Sequence, residues 1–533
     1  MKKKSIDRRR FVTTVSQGSL AALLGLPSLR LWAQSSGHEL PVDCSPPSHG
    51  AAKHITFDSS APILPRKSVW DLSVAEVTRL QKAYKAMRDL ATSNPNDPRG
   101  WMQQANVHCF NCSGGYDPSN VEIHGSWWFL PWHRCYLHVH ERILAKLVGD
   151  PSFRLAYWDW DTYPGHAIVP PAFMKQAALK DGFRGASASS VVHTSITGPK
   201  AMKIVMGTHS SRAFMGALSD PSKQKYYPGA MENSPHGPVH IWTGETSSTQ
   251  SPEPKGCFYP DTAGGPPVDQ SQNGCLDMGV LATAAQDPVF FAHHSNIDRL
   301  WDVWVKTPGS QGNFTDPNWL NHQFNFYDEN GDWIYITVAD VLAQQEQNNL
   351  RYTYQPPKGA AASPTPKPSP TASPKVINAA EAQPAEPLTL SADEQGTAVG
   401  TKPLVRSVPL PDLHREKLRA LAAGGPRNWI LHIDGLTLPA NESVILDVFV
   451  NDPKANSSTP IGPNFVGTFA LVVPGHRHDH EMVRDAVFEL RPETAALLAK
   501  ENTLTVTLVP KTVDGKEPKK SNLTYKKIYL SQE

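Results

Sequence analysis

The sequence predicts a mainly helical domain, then a proline-rich linker and an all-β C-terminal domain. Before residue 350, apolar residues recur every three or four positions in several segments, which is typical of amphipathic helices. Residues 355–387 are rich in Pro, Ala and Ser, a composition that cannot bury a core. Beyond them, short runs of β-branched and aromatic residues are bounded by Gly, Pro, Asn or Asp. We therefore expect domains at 35–354 and 388–533.

The helical domain is expected to be a four-helix bundle with long loops. Residues 74–90 follow Ser73, a suitable N-cap, and residues 127–147 and 291–305 have the same apolar spacing. Because these segments supply most of the histidines discussed below, a metal centre between facing helices is the simplest architecture. Residues 151–230 show little periodicity and are expected to form loops.

The C-terminal domain is expected to be a β-sandwich. Its apolar runs have the length of strands and carry turn residues at both ends. One short helix, at 493–500, should interrupt them. The predicted strands are 429–433, 443–450, 466–473, 504–509 and 526–530.

The N-terminus predicts a cleavable targeting segment over residues 1–34. Basic residues at 2–4 and 8–10 precede a modest apolar run at 12–29, and adjacent arginines are typical of the twin-arginine route. The run is too short and too polar for a stable membrane span. We therefore expect export to the periplasm or the extracellular space. With 51 Lys and Arg against 50 Asp and Glu, the charge predicts neither nucleic acid nor an anionic membrane as a partner.

Cysteines add a further expectation about the exported protein. Six cysteines in an oxidising compartment predict disulfides, but their spacing alone leaves about 15 full pairings open. Cys257 and Cys275 bracket one Gly- and Pro-rich segment and could close it. Cys135, inside a helical pattern, is expected to be a buried thiol.

Histidines carry the strongest chemical signal of the sequence. Six imidazoles without an interleaved carboxylate suit copper, zinc or nickel, whereas magnesium or calcium would require oxygen ligands. A helical di-iron site would instead show glutamates in Glu-x-x-His pairs. The pattern therefore predicts a metal site and favours copper. The candidate ligands are His108, His124, His133, His236, His240 and His294.

The spacing of these histidines is ambiguous when each segment is taken alone. His236 and His240 lie four apart and would share one face of a helix. His124 and His133 lie nine apart, so they can converge only if the helix begins after His124. Of the doublet at 293–294, at most one histidine can easily face the same ion.

Taken together, the histidine segments resemble the type-3 copper proteins, which comprise tyrosinases, catechol oxidases and molluscan haemocyanin units. The patterns HxxxCx(11)H, FxPxHR and DPxFxxHHxxxDRLW all occur without gaps. The His-Cys-x-x-Cys block at 108–112 is most similar to the plant-type polyphenol oxidases, and the similarity continues at 318–328 and 447–451. Combined with the arginine pair, the resemblance predicts a bacterial member of this family.

The resemblance assigns a role to each histidine. The first three histidines would bind one copper ion, and the last three would bind the second. His293 and Asp298 would support these ligands without binding metal. A contact between Arg66 and the Tyr-x-Tyr pair at 352–354 would close the helical domain near residue 355.

The resemblance also implies two covalent links between side chains. Cys112 matches a cysteine that forms a thioether to the second histidine, here His124. Such a link would hold the imidazole ring in a fixed orientation. Cys109 matches one half of a disulfide whose partner lies near the mature N-terminus, and Cys44 would be that partner.

The resemblance implies oxidation of small phenols by dioxygen at the two copper ions. A catechol would leave as an ortho-quinone, and oxygen would end as water. Glu232 matches a carboxylate that orients a water or accepts a phenolic proton, while Gly237, Leu281 and Ile241 would form the substrate gate. Gly237 has no side chain to help activate that water, which favours diphenols, whereas Leu281 is smaller than the usual Phe and favours wider access. We expect diphenol oxidation, with monophenol hydroxylation as the alternative.

The β domain would cover the copper site until cleavage in the exposed linker displaces it. Haemocyanin units also combine six such histidines with a covering β domain, so a reversible oxygen carrier is the alternative from another class. A mononuclear zinc hydrolase would leave three histidines without a role. The trio His476, His478 and His480 is expected to be an exposed polar turn. The loop at 243–280 is longer than usual in the family, with no function that the sequence reveals.

Overall fold

The computed structural model describes most of both predicted domains. The described residues are 44, 46–112, 122–187, 189–220, 225–244, 277–357, 386–425, 427–438, 443–472 and 482–533. The targeting segment, Cys257, Cys275, the trio at 476–480 and most of the linker lie outside these residues, so the statements about them stay predictions. None of the described helices is both long and apolar enough to cross a membrane.

Helices make up most of the regular structure before residue 357. Short 3₁₀ helices lie between them at Val69–Asp71, Ala177–Leu179, Asp277–Gly279 and Ala284–Gln286, and a π turn lies at Glu232–His236. The helices are α1 (Val74–Ser93), α2 (Trp101–Asn111), α3 (Phe129–Leu147), α4 (Pro171–Lys175), α5 (Thr194–Thr197), α6 (Pro199–Met206), α7 (Ser211–Met215), α8 (Gly237–Gly244), α9 (Val289–Val305), α10 (Pro317–Leu320), α11 (Val338–Gln347), α12 (Asp412–Ala422) and α13 (Pro492–Leu498). The last two, α12 and α13, belong to the β domain.

The longest helices form the framework of the helical domain, and the predicted bundle is confirmed. Helix α1 contacts α2 and α3, and α3 contacts α9. Helix α1 begins with a capping box, in which the Ser73 hydroxyl accepts from the Glu76 N–H while the Glu76 carboxylate accepts from the Ser73 N–H. Helix α3 is buried on all sides from Phe129 to Glu141, because it runs through the centre of the domain.

The chain turns sharply just before α3, as the histidine spacing requires. Gly125 adopts a φ of 64°, a left-handed conformation that favours glycine. A side chain at this position would also come within 2.9 Å of Tyr226. His124 therefore precedes the helix while His133 lies on it, which confirms the predicted break between them.

Strands form two small sheets in the helical domain and two large ones in the β domain. The strands are β1 (Lys53–His54), β2 (Leu64–Arg66), β3 (Lys225–Tyr226), β4 (Gln323–Tyr327), β5 (Trp333–Thr337), β6 (Tyr352–Tyr354), β7 (Leu388–Ala398), β8 (Leu404–Pro409), β9 (Trp429–Leu438), β10 (Val444–Val450), β11 (Phe465–Leu471), β12 (Met482–Glu489), β13 (Thr503–Lys511) and β14 (Thr524–Gln532). The small sheets have the orders β1-β5-β4 and β2-β6, and the large ones β11-β10-β13-β8 and β3-β12-β9-β14-β7.

Strand β10 shows how the two domains share buried surface. All seven of its residues are buried, although a strand with one wet face should alternate. Leu446 and Val448 face the core of the β domain, whereas Ile445 joins the core of the helical domain and Phe449 contacts a small cluster that includes Ile204. Both faces of the strand are dry because the helical domain covers the second one.

Four elements of the β domain were missing from the sequence prediction, namely strands β7, β8 and β12 and helix α12. Helix α12 has an exposed, strongly charged face and only a narrow apolar stripe, so its pattern was not recognised. Strand β12 carries Arg484 and Asp485 in its middle, which interrupts the apolar run. Arg484 is nevertheless 2% exposed, because it points into the boundary between the domains.

The β domain lies directly on the histidine-bearing part of the helical domain. Strand β3, which belongs to the helical domain, pairs in parallel with β12 and extends the five-stranded sheet. A side chain at Gly237 would meet Ala470 at 3.4 Å and Val472 at 3.6 Å. Residues from the end of β11 therefore press against the turn between His236 and His240, so the β domain covers this region.

Candidate metal centre

The first group of histidines converges from one helix, one turn and a second helix. His108 lies on α2, His124 precedes α3 and His133 lies on α3. A ligand nitrogen from each lies within 4.8 Å of those of the other two, and all three residues are buried. The Nδ1 of His108 donates to the Leu281 carbonyl at 2.8 Å, and that of His133 donates to the Phe129 carbonyl at 2.7 Å. In the neutral rings of His108 and His133, the lone pair is therefore on Nε2.

The second group converges from the π turn, α8 and α9. His236 ends the π turn, His240 lies on α8 and His294 lies on α9. The Nδ1 of His240 donates to the Met278 carbonyl at 2.8 Å, which again leaves Nε2 free to bind metal. The chain bends at Ser234, just before His236, and is helical from there through His240, so the two histidines lie one turn apart with their ring centroids 4.5 Å from each other, as their spacing predicts.

The two groups face each other across a small distance. The rings of His133 and His294 are stacked with their centroids 4.2 Å apart, and those of His124 and His236 are 6.0 Å apart. Each group holds three of the predicted ligands. Two metal ions could therefore be bound side by side, one by each group.

His293 lies within reach of the second group but is oriented differently from the ligands. Its Nδ1 accepts a hydrogen bond from the indole N–H of Trp160 at 3.0 Å. In the neutral ring this places the proton on Nε2, so neither nitrogen has a free lone pair for a metal ion. This geometry supports the supporting role predicted for His293.

The nitrogens that face the centre fit a pair of ions well. The Nε2 atoms of His108 and His133 and both ring nitrogens of His124 and His236 are buried without a hydrogen-bond partner, a costly state unless a ligand or ion occupies the site. The Nε2 atoms of His240 and His294 are 3.1 Å apart. Two nitrogens about 2.0 Å from one tetrahedral ion would lie about 3.3 Å apart.

Burial keeps these imidazoles in the form that binds metal. It lowers the pKa of His108, His133, His236 and His294 well below its usual value, and it lowers that of His240 to about 3. The neighbouring histidines add to the effect. All of these rings are therefore neutral at ordinary pH and can offer a lone pair.

Two phenylalanines seal the space between the histidine groups. The ring of Phe290 lies 4.1 Å from that of His294 and 4.9 Å from that of His108. The ring of Phe129 lies 4.5 Å from that of His236 and 4.8 Å from that of His133. Neither residue was singled out from the sequence, although both are the phenylalanines of the quoted FxPxHR and DPxFxxHH patterns.

A buried ion pair connects the two helices that carry His133 and His294. The residue after His133, Arg134, donates to Asp298 at 2.6 Å, and Asp298 lies one turn beyond His294. Asp298 also accepts hydrogen bonds from the hydroxyls of Tyr352 and Tyr354, both at 2.6 Å. Asp298 thus holds the two ligand helices together through contacts that do not involve the histidine ligands.

The predicted closing contact of the helical domain is present. Arg66 on β2 lies 3.7 Å from the ring centre of Tyr352, and its Nη1 donates to the Tyr354 hydroxyl at 3.0 Å. Its Nε donates to Glu141 on α3 at 2.9 Å. The pairing of β2 with β6 therefore joins the end of the helical domain to the ligand helix α3.

The cysteines agree with the pattern that the resemblance implied. Cys44 and Cys109 form a disulfide, with their Cα atoms 5.9 Å apart. It anchors the start of the described chain beside His108. Cys112 is buried at the end of α2, and Cys135 is a buried thiol whose pKa burial raises well above its usual value.

The three predicted gate residues are all buried. Leu281 contributes its backbone carbonyl to His108, so it contacts the first histidine group. Ile241 follows His240 on α8 and is 1% exposed. Gly237 leaves the room that Ala470 and Val472 of the β domain occupy.

Glu232 is buried beside Gly125, which follows His124, and lies four residues before His236. One of its oxygens accepts from the Gly125 N–H at 2.6 Å, while its Oε2 has no hydrogen-bond partner. Burial raises the pKa of Glu232 to about 8, against the opposing effects of the Gly125 bond and the charge of Arg484.

Arg484 of the β domain reaches the buried region around Gly125 and Tyr226. Its guanidinium carbon lies 3.9 Å from the ring centre of Tyr226, and it would lie 3.2 Å from a side chain at Gly125. The positive charge of Arg484 also helps to lower the pKa of Glu122. The Glu122 carboxylate accepts a hydrogen bond from the backbone N–H of His124. No feature of the sequence identified Arg484, because its role depends on how the two domains meet.

Family models match the chain in three consecutive parts. The common central domain of tyrosinase matches residues 98–202 and 186–307, the polyphenol oxidase middle domain matches 313–365, and the chloroplastic polyphenol oxidase C-terminal domain matches 412–522. All six candidate ligands lie within the first of these. The fold and the paired histidine groups define a dinuclear copper protein of type 3.

Curated relatives are similar over most of the chain. A chloroplastic polyphenol oxidase of Malus domestica is 32% identical over 508 residues, which are 89% of this chain and 79% of the relative. The latent form of a chloroplastic polyphenol oxidase of Prunus armeniaca is 31% identical over 467 residues, 81% of this chain and 70% of the relative. The chain belongs to the tyrosinase and polyphenol oxidase family. Its cofactor is a pair of copper ions.

Solved structures of the family contain both domains as well. The structure of latent apple tyrosinase has a TM-score of 0.67 and 26% identity, and covers 90% of this chain and all (100%) of that one. A recombinantly expressed latent aurone synthase also has a TM-score of 0.67 and 26% identity, with coverage of 92% and 93%. Both are described as latent enzymes, in agreement with a β domain that covers the site.

The predicted export by the twin-arginine route is wrong in the light of these relatives. The similar enzymes are named chloroplastic and come from plants, which contradicts delivery to the periplasm or the extracellular space. The bacterial origin inferred from the arginine pair is likewise not supported. A basic start followed by a modest apolar run occurs in several kinds of targeting segment, so this pattern could not distinguish one destination from another.

Proposed function

We propose that the protein oxidises ortho-diphenols to ortho-quinones, with dioxygen as the oxidant, at two copper ions bound by the six histidines. Two catechol molecules lose two electrons and two protons each, and one dioxygen is reduced to two water molecules. The bound copper supplies oxygen binding and electron exchange with the phenol. The observation that carries the proposal is the pair of facing, buried histidine groups, in which each ligand has at least one ring nitrogen that is not bonded to a group outside the two groups.

The residues around the histidines hold the ligands and exclude water. The carbonyls of Leu281, Phe129 and Met278 fix three of the imidazoles in one tautomer. Phe129 and Phe290 close the space between the groups and keep it dry. A thioether between Cys112 and His124 would add a covalent restraint to a predicted ligand that has no ring hydrogen bond to a backbone carbonyl.

Glu232 is the candidate for handling the phenolic proton. It is buried beside the second group, and its free Oε2 offers a proton-accepting atom. Burial raises the pKa of Glu232 to about 8 in the metal-free protein, and the positive charge of bound copper would favour its ionised, proton-accepting form. Gly237 provides no side-chain partner for a water next to Glu232, so we propose that diphenols are the main substrates and that monophenol hydroxylation is at most a secondary activity.

The β domain is proposed to keep the enzyme latent, and the linker at 355–387 is proposed as the cleavage segment. Ala470 and Val472 lie against the turn that carries His236 and His240. A phenol cannot approach this side of the centre while they remain there. Displacement of the β domain would remove both side chains together.

The test uses the copper-loaded full-length protein and 4-methylcatechol. We expect two copper ions per chain and slow oxygen uptake, with much faster quinone formation after proteolysis within the linker. Reversible oxygen binding without turnover after cleavage would favour an oxygen carrier and contradict the proposal. An unchanged rate after verified cleavage would contradict latency alone. Rapid lag-then-quinone kinetics with tyramine would overturn the preference for diphenols.

A further inference from the structure

The segment 277–287 holds one predicted ligand of each copper ion through its backbone. The Leu281 carbonyl accepts from Nδ1 of His108 in the first histidine group, and the Met278 carbonyl accepts from Nδ1 of His240 in the second, both at 2.8 Å. An acceptor on the second ring nitrogen sets the tautomer and the orientation of a metal-bound imidazole. We call this segment the carbonyl platform. Movement of the platform would disturb both metal sites at once.

We propose that the turn at 181–184 is a clamp that positions the carbonyl platform, and that a proton shared between Asp181 and Asp277 keeps the clamp closed. The turn binds both ends of the platform. At one end, the carboxyl group of Asp277 is hydrogen-bonded to that of Asp181. At the other end, Arg184 donates from Nε to Asp287 at 2.7 Å and also donates to it from Nη2. This ion pair is almost completely buried.

The clamp is also connected to the two helices that carry ligands of the second ion. The backbone N–H groups of Gly185 and Ala186 donate to the Thr243 carbonyl on α8 at 3.1 and 3.0 Å. The carboxylate of Asp287 accepts from the Val289 N–H, at the start of α9, at 2.9 Å. Loosening of the clamp would therefore be transmitted to the ligands of both ions. Asp181 is a positioning residue in this arrangement, since it acts on the imidazoles through the platform.

The charges around the clamp leave a proton on one of its carboxyl groups. Arginine keeps its charge in proteins, so two guanidinium groups balance only two of the three carboxyl groups as carboxylates. The Oδ1 of Asp277 is buried and makes no hydrogen bond within the described residues, so a charge there would be poorly solvated. Tyr84 is neutral, because burial raises its pKa well above its usual value. Among the described residues, the charged and titratable groups that face the clamp are Asp181, Asp277, Asp287, Arg88, Arg184 and Tyr84.

The shared proton makes the clamp sensitive to alkaline pH. Burial and the charge of Asp287 raise the pKa of Asp181 to about 7, and burial raises the pKa of Asp277 well above its usual value. The pair loses its shared proton as the pH rises through this range, and two buried carboxylates in contact then repel each other. The platform should move away from the turn. His108 and His240 would then lose their carbonyl acceptors, and both copper ions would be released faster.

The first test is the rate at which the copper-loaded full-length protein loses copper to excess EDTA between pH 6 and pH 9. With a pKa of about 7, roughly one tenth of the pairs lack the shared proton at pH 6 and nearly all of them lack it at pH 9. Release should therefore become about tenfold faster. The two ions should leave together, because the platform holds one ligand of each. A rate that does not rise with pH, or loss of one ion while the other stays bound, would overturn the proposal.

Asp181→Asn and Asp277→Asn test the shared proton directly. Each replaces one carboxyl group by a neutral amide of similar shape that can donate to the remaining carboxylate, so copper release should become nearly independent of pH. Asp393→Asn, at an exposed position of β7, is the matched control and should keep the tenfold rise. If the rise persists in both clamp variants, the shared proton does not hold the platform.

The clamp acts on the copper centre that the proposed function requires, and the two ideas can fail separately. Two copper ions per chain at pH 6, with a cooperative thermal transition, verify that each variant is folded and loaded. Failure of the unmodified protein to bind two copper ions or to oxidise 4-methylcatechol would contradict the proposed function. A normal copper content and normal oxidation with pH-independent copper release would contradict the clamp alone.

Discussion

Charged side chains are used differently inside the helical domain and across its boundary with the β domain. Inside, Arg134 pairs with Asp298 and Arg66 with Glu141, and none of the four side chains is more than 4% exposed. Each pair joins elements that also carry or support a copper ligand. Removing one partner would leave a buried charge alone, which is strongly unfavourable.

Across the boundary, some polar contacts involve half-exposed groups, although Lys511 of the β domain is buried and donates to the Ser195 hydroxyl at 2.8 Å. Glu489 accepts from the backbone N–H groups of His209 and Ser210, and the His209 side chain is 42% exposed. Arg484 is buried over Tyr226, yet its Nη1 has no hydrogen-bond partner. The difference indicates that the buried ion pairs stabilise the metal centre in every state of the enzyme, whereas the contacts of the β domain can break together when that domain dissociates.

The largest expected effect is that of Asp298→Asn, which breaks the network inside the helical domain. It leaves Arg134 and Arg66 buried without a full counter-charge, so the free energy of unfolding should fall by about 3 to 5 kcal/mol, and copper content should fall with it. Asp89→Asn on α1 removes only the exposed pair with Lys85 and should cost about 0.5 kcal/mol or less. Denaturant unfolding measures both. Equal losses would remove the distinction between buried and exposed pairs.

A smaller effect is expected from Glu232, which lies where the two regions meet. In the folded protein its carboxyl group keeps a proton up to a pKa of about 8, whereas the ordinary pKa of a glutamate is 4.5. The folded state therefore binds more protons between these values, and stability falls as the pH rises through this window. From pH 5 to 7 the loss in the metal-free protein should be about 2 to 3 kcal/mol.

Unfolding of the metal-free protein at pH 5 and pH 7 separates this contribution from the others. Glu232→Gln should flatten the pH dependence by that amount relative to the unmodified protein. Glu394→Gln, on an exposed position of β7, is the matched control and should leave the slope as it was. If both variants behave alike, Glu232 is not protonated by burial.

The smallest effect in free energy concerns the boundary itself, through Arg484→Gln. Loss of the contact with Tyr226 should weaken the closed arrangement by about 1 to 2 kcal/mol, so the uncleaved enzyme should oxidise 4-methylcatechol roughly five- to thirtyfold faster. After linker cleavage the variant and the unmodified enzyme should have equal rates. Lys402→Gln removes an exposed pair with Glu517 elsewhere in the β domain and should not activate. Unaltered latency in Arg484→Gln would show that the contact between Arg484 and Tyr226 does not hold the β domain in place.

The sequence predicted the helices that carry ligands better than the surfaces that meet between domains. The apolar spacing located α1, α3 and α9 within about three residues at their ends, because one face of each has to be buried. The histidines could be assigned to two ions only through the resemblance, since no single pair was specific. The tautomer that distinguishes His293 from His294 depends on Trp160, which is more than one hundred positions away.

Contacts between distant segments explain part of what was missed. Strand β12 was not recognised because Arg484 and Asp485 interrupt its apolar pattern, and their burial depends on the other domain. Helix α12 was missed because its buried side chains are few, and strands β7 and β8 were missed because none of their residues is fully buried. The kink at Ser234, just before His236, cannot be detected by spacing arguments based on a regular helix.

The two-residue strand β3 bears on the fate of the β domain once the enzyme is activated. It protects one edge of the five-stranded sheet by pairing with Val483 and Arg484 of β12. Once the β domain separates, that edge presents unpaired backbone N–H and C=O groups, a surface on which strands of other molecules can add. We expect the released β domain to self-associate. Its separation from the helical domain would then be irreversible, because the free domain would be removed from solution.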